Sequence, residues 1–91
     1  MIEHLVEYPP QHYFNQVLLH CPKAASTYCH IWKHQGKDNV YRVEKKAISG
    51  EFLLHPVTVK GHFRALCREG LVSISETPNT INVELVTWDN E

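Results

Sequence analysis

The sequence predicts an α+β domain: three helices with a small antiparallel β-sheet. Two observations are periodic: apolar residues recur at helical spacing along three stretches, and they alternate with polar ones along two stretches near the C-terminal end. The third is size, since 91 residues suffice for one hydrophobic core and leave no room for a second domain. The expected order is helix, strand, helix, helix and hairpin over residues 23–87. An N-terminal arm of residues 1–22 precedes it, and an acidic tail of residues 88–91 follows.

Each element has a local reason. In the arm, Leu5, Val6, Tyr8, Tyr13, Phe14, Val17, Leu18 and Leu19 present too much apolar surface to stay in water, and Pro9-Pro10 interrupts them. A short strand or a helical turn at Tyr13–Leu19 is expected, packed on the domain or on a second copy. The run is too short for periodicity to choose between them. Pro22 suits a first helical turn, Lys23-Ala24-Ala25 are good helix formers, and Ala25, Tyr28, Cys29 and Trp32 recur on one face up to Gly36. That predicts a helix at about 23–35. Asn39–Val43 reads as a short strand, and Lys45–Leu53 as a helix with Ile48 and Phe52 four apart. A break at Leu54-His55-Pro56 leads into the helix at about 56–69. Val59, Phe63 and Leu66 form its apolar stripe, and Gly70 ends it. Val72 and Ile74 alternate with Ser73 and Ser75, Glu76–Asn79 is a turn by composition, and Ile81, Val83 and Leu85 form the return strand.

Composition narrows the classes. An apolar content of 43% is that of a globular chain, and no apolar run exceeds three residues, as in Val17-Leu18-Leu19, so no transmembrane helix is expected. Glu3 and Glu7, with no Lys or Arg before Lys23, are the wrong sign for a secretory signal. The three cysteines, Cys21, Cys29 and Cys67, lack CxxC spacing and suit buried thiols in a reducing cytoplasm. The net charge of −1 conceals a separation by sign. Residues 1–22 carry −2, residues 23–72 carry +5 with all nine Lys and Arg, and residues 73–91 carry −4. A basic centre between acidic ends points to a polyanion, because attraction depends on local charge.

The stretch from Ala47 to Val72, AISGEFLLHPVTVKGHFRALCREGLV, resembles a winged helix-turn-helix domain. Ile48 and Ser49, then Phe52, Leu54, Val59, Phe63, Leu66 and Glu69-Gly70-Leu71-Val72 match that pattern. Ala24–Trp32 is similar to the first helix of bacterial, phage and plasmid regulators of this type. The resemblance covers roughly residues 23–86. Three positions depart from it: Leu53 stands at the turn position usually held by glycine, and His55 stands where Ser or Thr caps the next helix. The hairpin tip carries Glu76 and no cation.

The resemblance implies that the helix at about 56–69 lies in the major groove of duplex DNA. At 100° per residue, its non-core face presents Val57, Gly61, Arg64 and Arg68, flanked by Thr58 and Lys60. Arg64 is the candidate for bidentate contact with guanine, Val57 and Thr58 for thymine methyls, and Lys60 and Arg68 for phosphates. An exposed mid-helix glycine costs about 1 kcal/mol, so Gly61 suggests close approach of backbone to DNA, tight packing on the neighbouring helix, or simply a tolerated weakness. Lys45 and Lys46 oppose the dipole of the helix they open, which favours a role on phosphate, aided by the amides of that helix end. Lys37 and Arg42 are weaker candidates of the same kind.

Other chemistries find little support. His30 and His34 share a helical face beside Cys29, but Ile31 stands where a zinc protease has glutamate, and no metal or other cofactor is expected. No nucleophile motif, P-loop or dinucleotide fingerprint occurs, and no enzyme activity is expected. Trp32 and Trp88 read as packing residues. The sequence therefore points to a cytoplasmic, sequence-specific binder of double-stranded DNA, a small transcriptional regulator or a replication-initiation module. A homodimer is a natural form for it, with the N-terminal segment and Leu85–Trp88 as candidate dimer surfaces. The alternative is a winged helix that docks a protein partner through its wing or N-terminal arm, without DNA binding.

Overall fold

The computed structural model describes residues 9–86. Pro10 sets the start of α1 (Gln11–His20), its carbonyl accepting from the amides of Tyr13 and Phe14 at 3.0 Å each. The apolar segment is thus a helix of 10 residues, neither a strand nor a single turn. Tyr13 and Val17, one helical turn apart, are buried, while Leu18 and Leu19 face water. Three consecutive apolar residues hide this period, because only one of them reaches the core. Leu5, Val6, Tyr8, Trp88 and the acidic tail lie outside the described residues.

A 3-10 turn (Pro22–Ala24) leads into α2 (Ala25–His34). Its buried residues are Thr27, Tyr28, Ile31 and Trp32, whereas Ala25 and Cys29, expected on the core face, are half-buried. The stripe is displaced because α2 is covered by two neighbours. Tyr13 of α1 stacks on Trp32 with ring centroids 6.1 Å apart, and the Thr27 hydroxyl lies 2.8 Å from His62 Nδ1 on the helix opposite.

Strand β1 (Val40–Glu44) buries Tyr41 and Val43. A second 3-10 turn (Lys45–Ala47) continues into the short α3 (Ile48–Phe52), which buries Ile48. The chain reverses at Leu53 and enters α4 (Pro56–Arg68). Gly70, at φ 77°, closes α4 in the left-handed conformation that glycine adopts most easily. Strands β2 (Val72–Glu76) and β3 (Thr80–Leu85) form an antiparallel hairpin, and β1 pairs antiparallel with the other edge of β3. The sheet order is β1-β3-β2. The protein is therefore an α+β fold, with four α-helices and three strands among the described residues.

One cluster joins every layer: Tyr13, Tyr28, Ile31, Ile48, Val59, Phe63, Leu66, Leu71, Ile81 and Val83 are all buried in it. Leu85, expected to open a dimer surface, is only 4% exposed and belongs to this core, since period-two alternation puts it on the same face as Ile81 and Val83. Among the described residues no helix is long and apolar enough to cross a membrane.

Candidate nucleic-acid interface

Helix α4 sets the geometry of the basic surface. Val59, Phe63 and Leu66 are at most 2% exposed, so the helical period turns the opposite row outward. Val57, Thr58, Gly61, Arg64 and Arg68 are all exposed, and Lys60 at the flank is half-buried. Arg64 and Arg68 stand one turn apart, and neither forms an ion pair with the described residues.

His55 caps this helix in place of Ser or Thr. Its Nδ1 accepts from the Val57 amide at 3.1 Å, so the cap is made by an imidazole. Leu53, at φ 56° and ψ 35°, adopts the left-handed conformation that glycine takes most easily. A Cβ added at Gly61 meets no heavy atom within 4 Å, so packing against a neighbouring helix does not account for that glycine.

Lys45 and Lys46 come to the surface from the 3-10 turn that precedes α3. Together with Glu44, Pro78 and Asn79 they line a cleft between that turn and the hairpin tip. The Lys45 amide donates to the Asn79 carbonyl at 2.8 Å, which fastens the hairpin to the turn. That amide is consequently spent, and the expected anion contact from it is withdrawn.

Glu76 joins the two groups of cations. Val72, Ile74 and Glu76 share one face of β2, with Val72 buried and Ile74 half-buried, so alternation directs Glu76 toward the helical side. Its carboxylate lies 3.0 Å from Lys45 Nζ. The Lys45 hydrogen bond, then the charge of Lys45, and beyond these the charges of Lys60 and Arg64, hold the Glu76 carboxyl below its ordinary range. Lys45 of the 3-10 turn and Lys60 and Arg64 of α4 thus act on one carboxylate, although they come from two elements. Glu76 was legible as acidic and near the hairpin tip, yet the pairing with Lys45 depends on how hairpin and turn meet.

The remaining charges lie elsewhere. Arg42 pairs with Asp38 at 2.6 Å and lines the outer face of the sheet with Ser73, Ser75, Asn82 and Glu84, apart from α4. Glu51 is exposed and pairs with neighbouring elements: its Oε1 is 3.1 Å from His30 Nε2 and accepts from the Tyr41 hydroxyl at 3.3 Å. Burial lowers the His30 pKa, and Glu51 only partly offsets it. His30 and His34 stack with ring centroids 4.3 Å apart, and among the described residues no group of three or more ligand side chains could hold a metal. Cys21 and His62 line one cleft beside α1, without Cys67.

Comparison of the chain with protein-family models, curated proteins and solved structures gives no match. The inference of function rests on the chemistry of the surface itself.

Proposed function

We propose that the protein is a winged helix-turn-helix domain that binds double-stranded DNA sequence-specifically, as a cytoplasmic transcriptional regulator or replication-initiation module. The observation that carries this reading is the exposed row of α4, in which Arg64 and Arg68 stand one turn apart and form no ion pair with the described residues. The helix order, with a hairpin after α4 and a β1-β3-β2 sheet, supports the fold assignment. In this reading α4 enters the major groove with its core stripe turned away. Arg64 pairs with guanine, Val57 and Thr58 meet thymine methyls, and Lys45, Lys46, Lys60 and Arg68 contact phosphates.

The test is a duplex selected from a random library, titrated against the wild type and the double variant Lys60→Ala/Arg64→Ala. Loss of one guanine contact is expected to cost about 1–3 kcal/mol on the selected sequence. Loss of a phosphate contact flattens the salt dependence by a slope of about 0.9. Unchanged affinity at moderate salt would rule out α4 as the reading helix.

A second reading, a protein-docking module, draws on two observations. Glu76 interrupts the basic surface, and Leu53 and Val57 beside it are 85% and 70% exposed. A variant pair that leaves DNA affinity intact but abolishes capture of a protein partner would favour it.

A further inference from the structure

Resting on the DNA-binding reading, we infer that the space beside Lys45 is a subsite for one backbone phosphate, and that the Glu76 carboxylate occupies it in the free protein. The carboxylate is 3.0 Å from Lys45 Nζ and lies within the field of Lys60 and Arg64. A phosphate offers the same negative oxygen acceptors to the same cations.

Two features make Glu76 a replaceable occupant and not a structural tie. The pair is open to solvent, with side-chain exposures of 31% for Lys45 and 55% for Glu76, and such pairs are weakly held. The hairpin also needs no help from it. The Lys45 amide already bonds the Asn79 carbonyl, and the β2–β3 ladder continues to Glu76 opposite Ile81. An incoming phosphate takes Lys45 from Glu76 while the backbone stays in place. Until that exchange occurs, the carboxylate repels every duplex, whatever its sequence. Glu76 therefore lowers the sequence-independent part of binding, which is the part that phosphate contacts supply.

The decisive measurement uses the full chain and a labelled duplex of arbitrary sequence, followed by fluorescence anisotropy over a salt series. Wild type, Glu76→Gln and Glu84→Gln are compared, with circular dichroism to verify folding. Glu84→Gln makes the same change of charge on the exposed face of β3, away from the cluster. Glu76→Gln is expected to tighten binding roughly 3- to 10-fold near 0.1 M salt, because no carboxylate then has to give up Lys45 or repels the duplex. Glu84→Gln is expected to change affinity by less than about 1.5-fold. If the wild type binds and Glu76→Gln binds no better, the subsite is overturned while the DNA reading stands. Equal tightening by both variants also overturns it, since net charge alone would then explain the gain. Absence of binding by all three at low salt overturns the DNA reading and the subsite together.

Discussion

Leu53 is the residue whose conformation and chemistry agree least. It combines a left-handed backbone, at φ 56°, with a side chain that is 85% exposed. The left-handed region costs a non-glycine residue about 1–2 kcal/mol, and so exposed a leucine recovers little of it by burial. Glycine would relieve that strain but surrender about 0.5–1 kcal/mol of chain entropy. Leu53→Gly is therefore expected to stabilise the protein by about 0.5–1 kcal/mol, seen as a rise of several degrees in thermal midpoint. A fall in midpoint would mean that the leucine makes stabilising contacts in solution. The sequence marked Leu53 only as a departure from the glycine of the pattern it resembles, which suggested a different or longer turn. That a leucine accepts the conformation, and that His55 supplies a cap two residues later, depended on backbone angles and side-chain rotation.

In α4 the apolar stripe was legible, because Val59, Phe63 and Leu66 recur at i, i+4 and i+7 and are its bulky apolar residues on one face. The helix is weakened at Gly61, where an added methyl group would meet only open space. Gly61→Ala should raise stability by about 1 kcal/mol, from helix propensity alone. If backbone approaches DNA at this point, the same substitution should weaken duplex binding several-fold. Thermal unfolding and titration read the two effects separately. A more stable variant that binds as well as the wild type would remove close approach as the reason for the glycine. Helices α1 and α2 were read less completely. In α1 consecutive apolar residues masked the period, and in α2 contacts with two neighbours buried Thr27 beyond the expected stripe.

Two histidine contacts tie the helical layer together, Thr27–His62 between α2 and α4 and His30–Glu51 between α2 and α3. Both histidines have pKa values lowered from an ordinary 6.5, with desolvation the leading cause. Each therefore binds its proton more readily after unfolding. Their contribution is complete above the unfolded value and is lost as pH falls through about 6.5 toward the lower folded value. The thermal midpoint should decline from pH 7 to about 5.5, before most carboxylates protonate. His62→Gln, which can keep a hydrogen bond to Thr27, should show a smaller decline. A midpoint that stays constant or rises over this interval would contradict the assignment.

Periodicity and turn chemistry were enough to read the α+β class, α4 and the hairpin, because each depends on residues close together in the chain. Charge segregation likewise revealed a basic centre. It could not say which charges pair, since Lys45 reaches Glu76 only after the 3-10 turn and the hairpin have packed. Folding pairs Arg42 with Asp38, Glu51 with His30 and Glu76 with Lys45. Such selection is a matter of three-dimensional distance, and distances between separate elements are set by packing of the shared core.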